Sequence, residues 1–311
     1  MSPEPDRLML LDSASLYFRA FYGVPESMTA PDGTPVNAVR GFLDMVATLV
    51  TRRRPQRLVA CWDDDWRPAF RVAALPSYKA HRVANPAAGT EETPAALEPQ
   101  VPVIADVLAA FGIPRVGGPG LEADDVAGTL ATRAVAAGPG DVEVVTGDRD
   151  LFQLVDDAAG VRVLYVGRGV RNLEVVDEAR LHEKYGVRAG AAYADVAALR
   201  GDPSDGLPGV PGIGEKTAAA LINRYGTLEE LLAALDAGEP DLTKGPGRRL
   251  LPAREYLAAA PTVVRVVRDA PLPEVDDRLP PTPAHPDALV ALAERWGVES
   301  SVSRLVQAIT G

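Results

Sequence analysis

Cysteine and histidine are scarce in this 311-residue chain, which has one cysteine and three histidines. A single cysteine excludes a disulfide framework within the chain, and Cys61 stands in an apolar run that is typical of a buried thiol. No apolar run approaches the roughly 18 residues that a membrane-spanning helix needs. The start, MSPEPDRLMLLD, lacks the basic region and apolar core of a signal peptide. We therefore expect a cytoplasmic protein that contacts no membrane.

Positive charge is in the minority, since the formal net charge is −11. This sum argues at first against a nucleic-acid ligand, because phosphates select basic surfaces. The basic residues are concentrated, however, in two zones. Residues 67–90 contain four arginines and lysines and no acid, and residues 244–268 contain six against one acid. Because the distribution of charge matters more than its sum, these zones indicate that the protein binds phosphates.

The first half of the chain alternates short apolar segments with segments of helical spacing. Three apolar segments run into a carboxylate: RLMLLD ends at Asp12, RLVACWD at Asp63 and VEVVTGD at Asp148. This order of segments predicts an α/β fold with a mostly parallel sheet and helices on both faces. The segments with helical spacing are residues 36–50, 101–111 and 123–135.

Acidic residues recur at positions that this fold would bring together. Ligands of open parallel sheets bind beyond the carboxyl ends of the strands, where the first three aspartates fall. The stretch LEADDV follows another candidate strand, GIPRV, and would begin the next helix at the same edge. The motifs TGDRD and GDPSD supply the remaining acids. The predicted set is Asp12, Asp63, Glu122, Asp124, Asp125, Asp148, Asp150, Asp202 and Asp205.

Carboxylates gathered in one pocket repel one another, by about 4 kcal/mol for a pair 4 Å apart at an effective dielectric constant near 20. Either several of them are protonated, or divalent cations lie among them. Divalent cations among the acids would also serve a reaction, because two ions about 3.5–4 Å apart suit in-line phosphoryl displacement. Ligand sets made only of oxygen atoms select Mg²⁺ or Mn²⁺ over zinc. The sequence thus predicts two or more Mg²⁺ or Mn²⁺ ions in one active site.

The second half of the chain is dominated by helical spacing, and we expect a change of domain near residues 176–181. The region 271–286 is rich in proline and predicts an extended connection to a last helix at residues 286–296. An earlier segment, residues 85–102, contains four prolines and is expected to be irregular. The predicted helices of the second half are residues 189–199, 215–225, 227–235 and 248–259.

The stretch LPGVPGIGEKTAAALINRYG, residues 207–226, combines glycines with the start of a helix. Gly209, Gly212 and Gly214 allow a tight turn whose backbone amides approach a phosphate, and Lys216 adds a positive charge. A plain helix-turn-helix is the alternative. The repeated glycines, two prolines and the lysine favour a hairpin that binds the duplex backbone without reading base sequence.

The ordered series LMLLD, YKAHR, LEADDV, TGDRDLFQL and GDPSDGLPGVPGIGEKTA resembles the bacterial 5′→3′ exonuclease and flap endonuclease family. That family includes the 5′-nuclease domain at the start of DNA polymerase I. The chain ends at Gly311 without a polymerase sequence, so it looks like the stand-alone form. The resemblance implies a PIN-like nuclease domain at 1–178 with a helical arch at about 76–102. It also implies a helix-3-turn-helix DNA-binding domain, of the helix-hairpin-helix type, at 179–275 and a C-terminal extension with the last helix at 276–311.

The resemblance also assigns the acids to two metal ions. The first ion would be surrounded by Asp12, Asp63, Glu122, Asp124 and Asp148, with Asp125 close by and partly acting through water. The second ion would be surrounded by Asp148, Asp150, Asp202 and Asp205.

Basic and aromatic residues receive DNA-binding roles in the same way. Lys79 and Arg82 match residues at the base of the arch that contact the scissile phosphate. Arg71 and Tyr78 would lie along the path of the 5′ strand, and Gly212, Gly214 and Lys216 would contact duplex backbone. A monovalent cation, usually potassium, would bridge the hairpin to a DNA phosphate through the carbonyls of Leu199, Arg200, Pro208, Val210 and Ile213.

The chain departs from the family pattern in two places. Gly206 stands where many members have asparagine, which puts in doubt an orienting hydrogen bond there. Asp64 and Asp65 follow Asp63 and are interpreted as solvated loop acids. Asp202 and Asp205 are both present, although some stand-alone relatives lack acids in this loop, and this favours a complete second metal site.

The predicted function is a structure-selective, divalent-metal-dependent 5′ nuclease that acts as a 5′→3′ exonuclease and 5′-flap endonuclease. Its substrate would be branched or nicked DNA and primer 5′ ends in replication and repair, with RNA tolerated at the 5′ end. We expect a monomer. The alternatives are a protein that binds branched DNA without cleaving it and a PIN-type ribonuclease. A ribonuclease of that type would not need the glycine-rich hairpin.

Overall fold

The computed structural model describes residues 6–85, 90–138 and 140–311. Its main sheet has six strands in the order β5-β2-β1-β6-β7-β8, and a separate hairpin pairs β3 with β4. All neighbours in the main sheet are parallel except β7 and β8. The strands are β1 (Arg7–Asp12), β2 (Arg57–Cys61), β3 (Val83–Asn85), β4 (Thr90–Glu91), β5 (Arg115–Val116), β6 (Asp141–Thr146), β7 (Val161–Tyr165) and β8 (Glu174–Val176).

Helices cover both faces of the main sheet and form a helical lobe beyond it. The first-half helices are α1 (Ser13–Gly23), α2 (Asn37–Arg53), α3 (Ala69–Ala74), α4 (Gln100–Phe111) and α5 (Ala123–Ala137). The helices of the lobe are α6 (Glu178–Tyr185), α7 (Gly190–Arg200), α8 (Glu215–Tyr225), α9 (Leu228–Asp236) and α10 (Arg254–Val264). The last two are α11 (Pro286–Trp296) and α12 (Glu299–Thr310).

The alternation of side chains along the central strand divides the core between the two faces. Leu8 and Leu10 of β1 join the cluster that contains α5 and helices of the lobe. Met9 and Leu11 join the cluster that contains α1, α2, α4, α11 and α12. Because successive strand residues point to opposite faces, an apolar run such as RLMLL is buried on both sides. The α/β fold with a mostly parallel sheet and helices on both faces is confirmed.

The lobe shares a core with the sheet. Buried residues of α7, α8 and α10 belong to the same cluster as Val144 of β6 and Val126 of α5. The last strand of the sheet ends at Val176 and helices follow from Glu178. The division at residues 178 and 179 stays a prediction, since apolar packing is continuous across it.

Several elements differ from the sequence-based expectation. The predicted helix at 248–259 begins only at Arg254, and residues 245–253 form 3-10 turns that contain Pro246 and Pro252. Proline lacks the N–H that a continuing α-helix needs, which explains the late start. The helix at 286–296 is present but not last, because α12 follows it. Strands β7 and β8 had not been predicted.

The predicted arch segment, residues 76–102, contains a 3-10 helix at Ala80–Arg82, the β3–β4 hairpin and the start of α4. Turns occupy the described residues between β4 and α4, where Pro94 and Pro99 remove two backbone donors. Residues 86–89 of this segment, like residues 1–5 of the predicted N-terminal domain, lie outside the described residues. The described part is therefore mostly turn and hairpin.

The C-terminal extension returns to the nuclease sheet. The backbone of Leu58 donates to Asp277, and that of Leu279 donates to Gln56, so the proline-rich connection pairs beside β2. Helices α11 and α12 then pack on α4 and α2. Within the described residues, the helices are too short or too polar to cross a bilayer.

Candidate active site

The carboxyl ends of β1, β2 and β6 open into a cleft of about 670 Å³. Five of the nine predicted metal ligands line it, together with Lys79, Arg82 and Glu91. Phe18 and Tyr22 of α1 form part of its wall. The parallel sheet thus brings together carboxylates that are far apart in the sequence. The predicted ligands that line the cleft are Asp12, Asp63, Glu122, Asp124 and Asp148.

Hydrogen bonds fix the strand ends to one another. One oxygen of Asp12 accepts from the Ser15 backbone at 3.1 Å, which caps α1, and the other accepts from the Thr146 hydroxyl at 2.7 Å. The Thr146 hydroxyl oxygen accepts in turn from the Asp148 backbone at 2.8 Å. Asp63 accepts from the Ala123 backbone at 2.6 Å. These bonds hold three strand ends and the start of α5 around the cleft.

Burial raises the pKa values of three carboxylates of the cleft, those of Asp12, Asp63 and Asp124. Burial, followed by the charges of Asp63 and Asp148, raises the pKa of Asp12 to about 7. Burial likewise raises the pKa of Asp63, and it raises the pKa of Asp124 well above its usual value with the charges of Asp12 and Asp148 adding to the effect. A bound cation would lower these pKa values by favouring the charged forms.

The donor set fits a hard divalent cation. It consists of carboxylate oxygens, which suit Mg²⁺ or Mn²⁺. Within the part of the chain that the structure describes, no three acidic, histidine or cysteine side chains are already gathered as the ligands of one ion. Mg²⁺ usually retains several waters, so carboxylates of such a site can bind it through water as well as directly. The predicted convergence of nine acids on one pocket is therefore only partly realised.

The remaining acids of the predicted second site lie beside the cleft rather than in its lining. Burial, followed by the charges of Asp148, Asp205 and Asp202, raises the pKa of Asp150 well above its usual value. Asp202 accepts from the Ser204 backbone at 2.8 Å. Asp148 lines the cleft and influences Asp150, so it joins the two groups of acids.

Two predicted DNA-binding roles are corrected by burial. Arg71 is 2% exposed and donates to Glu122 and Asp125, and Tyr78 is 4% exposed and donates its hydroxyl to Glu122 at 2.7 Å. Neither side chain is available to a DNA strand in this structure. Asp125 is fully buried against Arg71, and its predicted place close to the first metal stays a prediction. Arg71 and Asp125 pair with each other, and the Tyr78 hydroxyl is used by its hydrogen bond to Glu122.

The two predicted phosphate-binding cations are at the cleft but carry carboxylate partners. Lys79 donates to Glu122 and to the Trp66 carbonyl at 3.3 Å. Burial opposes its charge, yet the carboxylate of Glu122 holds the pKa of Lys79 well above its usual value. Arg82 donates to the Asp205 carboxylate at 2.8 Å and to the Ser204 carbonyl at 2.7 Å. Their contacts with a scissile phosphate remain predictions.

The glycine-rich hairpin joins α7 to α8. Gly212 has φ +78°, and its carbonyl accepts from Arg249. Gly214 is the N-cap of α8, where no side chain caps the free amides. Lys216 is exposed on the first turn of that helix. This arrangement leaves amides and a positive charge open to a phosphate oxygen.

The predicted carbonyls of the potassium site lie on both sides of the same connection. Leu199 and Arg200 end α7, whereas Pro208, Val210 and Ile213 belong to the hairpin loop. The Val210 backbone donates to the Leu199 carbonyl at 2.8 Å, which brings the two segments together. A cation at this place remains a prediction.

Sequence reasoning missed several residues of the site. Ser15 follows Asp12 at the spacing of a helix N-cap bond, so this contact could have been predicted. Thr146 carries no such local signal, because its bond to Asp12 crosses from one strand to another. Glu91 lines the cleft and Arg249 contacts the hairpin, but neither belongs to a motif.

Comparison with known proteins agrees with this architecture. A family model described as "5'-3' exonuclease, N-terminal resolvase-like domain" matches residues 7–186, and one described as "5'-3' exonuclease, C-terminal SAM fold" matches residues 189–287. A 5'-3' exonuclease of Streptomyces coelicolor is 60% identical over 305 residues, covering 97% of this chain and 100% of that protein. DNA polymerase I of Mycobacterium bovis is 41% identical over 283 residues, covering 89% of this chain and 29% of that protein.

A solved structure shares the fold at low sequence identity. It is a bacteriophage T5 flap endonuclease variant, described as a pseudo-enzyme–product complex with DNA and metal ions. The TM-score is 0.63 at 19% identity, and the match covers 98% of this chain and 100% of that chain. The two family models together match most of the chain, and the Streptomyces protein matches nearly all of it. The chain therefore belongs to the 5'-3' exonuclease family.

Proposed function

We propose that this protein is a divalent-metal-dependent, structure-selective 5′ nuclease that acts both as a 5′→3′ exonuclease and as a 5′-flap endonuclease. The observation that carries the proposal is the single cleft in which strand-end carboxylates meet Lys79 and Arg82. The family of the chain supports the exonuclease activity. The complex of the T5 enzyme with DNA and metal ions supports a similar substrate and cofactor.

The acids and the cations of the cleft have separate roles in this proposal. Asp12, Asp63, Asp124 and Asp148 would hold the first ion together with Glu122, and Asp150, Asp202 and Asp205 would complete a second site with Asp148. When bound, the ions would supply an activated water and stabilise the leaving oxygen. The ammonium of Lys79 would orient the scissile phosphate and stabilise charge on it.

The hairpin at the start of α8 would bind the duplex beside the cleft through backbone phosphates. Such contacts position a duplex but carry no base-sequence information, so selection would depend on DNA shape. RNA at a primer 5′ end would be tolerated for the same reason. We further propose that the protein is a cytoplasmic monomer that acts in replication and repair, with a potassium ion at the hairpin carbonyls.

Cleavage of a labelled 5′-flap duplex with Mg²⁺, with and without a chelator, tests the function. We expect cleavage that the chelator abolishes and that Asp124→Asn nearly abolishes. Asp64→Asn is the matched control, because Asp64 is an acid near the cleft that pairs with Arg115 at 3.1 Å. The control should cleave at the unmodified rate.

The alternatives predict different results in the same assay. A protein that only binds branched DNA would bind the flap duplex in Ca²⁺ and would leave it uncleaved in Mg²⁺. A PIN-type ribonuclease would cleave single-stranded RNA and spare the DNA flap. Equal cleavage by Asp124→Asn and Asp64→Asn would remove the cleft carboxylates from the mechanism.

A further inference from the structure

Arg71 occupies a buried position between the cleft, the arch segment and the helical lobe. It lies on α3, and its side chain is only 3% exposed. One terminal nitrogen donates to Glu122 and Asp125, each at 2.7 Å, and the other donates to Asp125 at 2.6 Å. The remaining donors reach two backbone carbonyls. One is that of Val263 near the end of α10 (3.0 Å), and the other is that of Arg265 just after it (3.5 Å). All five N–H directions of the guanidinium are therefore used.

Glu122 connects Arg71 to Lys79. Its Oε2 accepts from Arg71 and from the Tyr78 hydroxyl, both at 2.7 Å, while Oε1 accepts from the Lys79 ammonium. Glu122 is also the N-cap of α5, where Asp125 accepts from its backbone at 3.2 Å. A carboxylate held on so many sides has a single position, and the ammonium bonded to it is fixed as well.

Charge is balanced within this group. Two carboxylates, Glu122 and Asp125, face two cations, Arg71 and Lys79. An unpaired charge at this depth is strongly unfavourable, so each of the four groups depends on its partners. The other acids of the cleft have no comparable buried arginine among their ion pairs in the described residues.

We propose that Arg71 is a positioning residue, which holds the Lys79 ammonium in the cleft through the carboxylate of Glu122. This inference rests on the proposed nuclease function and assigns Arg71 a role without DNA contact. Lysine could replace its charge but not its planar fork, which binds two carboxylates and two carbonyls at once.

Kinetics of the Arg71→Lys variant test the inference. We expect single-turnover flap cleavage to slow by about tenfold to a hundredfold, since a misplacement near 1 Å has effects of this size. Flap affinity in Ca²⁺ should stay unchanged, because Arg71 is buried. In a Lys79→Ala background, Arg71→Lys should slow cleavage little further, because the group that it positions is gone. An equal slowing in both backgrounds would overturn the inference in favour of a general structural role.

Arg53→Lys provides the matched control. Arg53 also forms a two-pronged pair with a buried carboxylate, Glu143, but at the opposite end of the sheet. Its substitution should leave the cleavage rate unchanged in both backgrounds.

A second readout uses the metal-free protein and no activity. The chain has four lysines, and the three besides Lys79 are exposed. With ¹³Cε-labelled lysine, the signal lost in Lys79→Ala identifies Lys79. We expect that signal to move toward those of the exposed lysines in Arg71→Lys. An unmoved signal would overturn the inference even if cleavage slowed.

The same measurement separates the inference from the proposed function. If the unmodified protein fails to cleave any flap, the proposed function fails, while the Lys79 signal still tests the positioning. Should Arg71→Lys not fold, Glu122→Gln breaks the same connection at its middle. That variant should shift the Lys79 signal in the same direction, and no shift would count against the role of Arg71.

Discussion

At the scale of single residues, two cations of the cleft already have carboxylate partners. Lys79 and Arg82, which would bind phosphate, are bonded to Glu122 and Asp205. Each such pair limits the positions that the cation can adopt, since an ammonium or guanidinium group bonded to a carboxylate loses most of its conformational freedom. The carboxylate partners thereby hold the positive charges of Lys79 and Arg82 beside the acids of the cleft.

Lys79→Ala should slow single-turnover flap cleavage by about 10²–10³, the effect of removing one donor aimed at developing charge. Flap affinity in Ca²⁺ should barely change, because most duplex contacts would be made at the hairpin. Lys184→Ala is the control, since Lys184 is exposed on α6 and pairs with Glu174 at 3.4 Å. A large loss of affinity with the chemical rate intact would assign Lys79 to docking instead.

At the scale of elements, the arch segment is docked on the loop that precedes the hairpin. The Lys79 backbone donates to the Asp205 carbonyl at 3.0 Å, and Arg82 binds the same loop. Gly206 allows this close approach, because a Cβ there would lie 2.1 Å from the Ser77 carbonyl oxygen. The glycine that departs from the family pattern therefore has a structural reason.

Gly206→Ala should destabilise the protein and slow flap cleavage, because the arch base must move away. Gly238→Ala is a matched control: the two glycines have φ +74° and +73°, but a Cβ at Gly238 meets nothing within 4 Å. Both variants share a backbone cost of roughly 1–2 kcal/mol. Gly206→Ala should add about 1–3 kcal/mol for the clash, measured by urea unfolding. Equal losses of stability in the two variants would mean that the Gly206 loop accommodates the added methyl group without a cost in free energy.

At the scale of the whole molecule, the net charge is −11, so DNA binding would depend on the distribution of the basic residues. Two arginines of the second basic zone form ion pairs within the protein: Arg254 pairs with Asp236, and Arg265 pairs with Asp195. Lys216 and Lys244 are exposed, and neither forms an ion pair with a described residue. These lysines remain available for DNA phosphates.

Flap affinity in Ca²⁺ should fall steeply with salt, because each phosphate contact releases counterions. Lys216→Ala should reduce the slope of log affinity against log salt by about 1. Lys184→Ala, at a position on α6 that is paired with a carboxylate, should leave the slope unchanged. The measurement is a salt titration of affinity for the three proteins. Identical slopes would show that the first turn of α8 makes no charged contact with DNA.

Local patterns in the sequence determined the main sheet and much of the cleft. Asp12, Asp63 and Asp148 were placed correctly because each follows an apolar strand, and parallel strands present their carboxyl ends at one edge. The hairpin was recognised from its glycines, since few other residues permit such turns. β7 was missed although VRVLY is rich in β-branched and aromatic residues, and the short, antiparallel β8 carried a weaker signal.

The tertiary structure alone decided which charged residues face the cleft and which face each other. Arg71 lies about fifty positions before Glu122 and Asp125, at separations of 51 and 54 residues. Nothing in the local sequence distinguishes an arginine exposed to DNA from one buried in such a pair. The docking of α12 on α2 also depends on distant partners. Short-range patterns fix elements through backbone geometry, whereas ion pairs depend on how those elements pack.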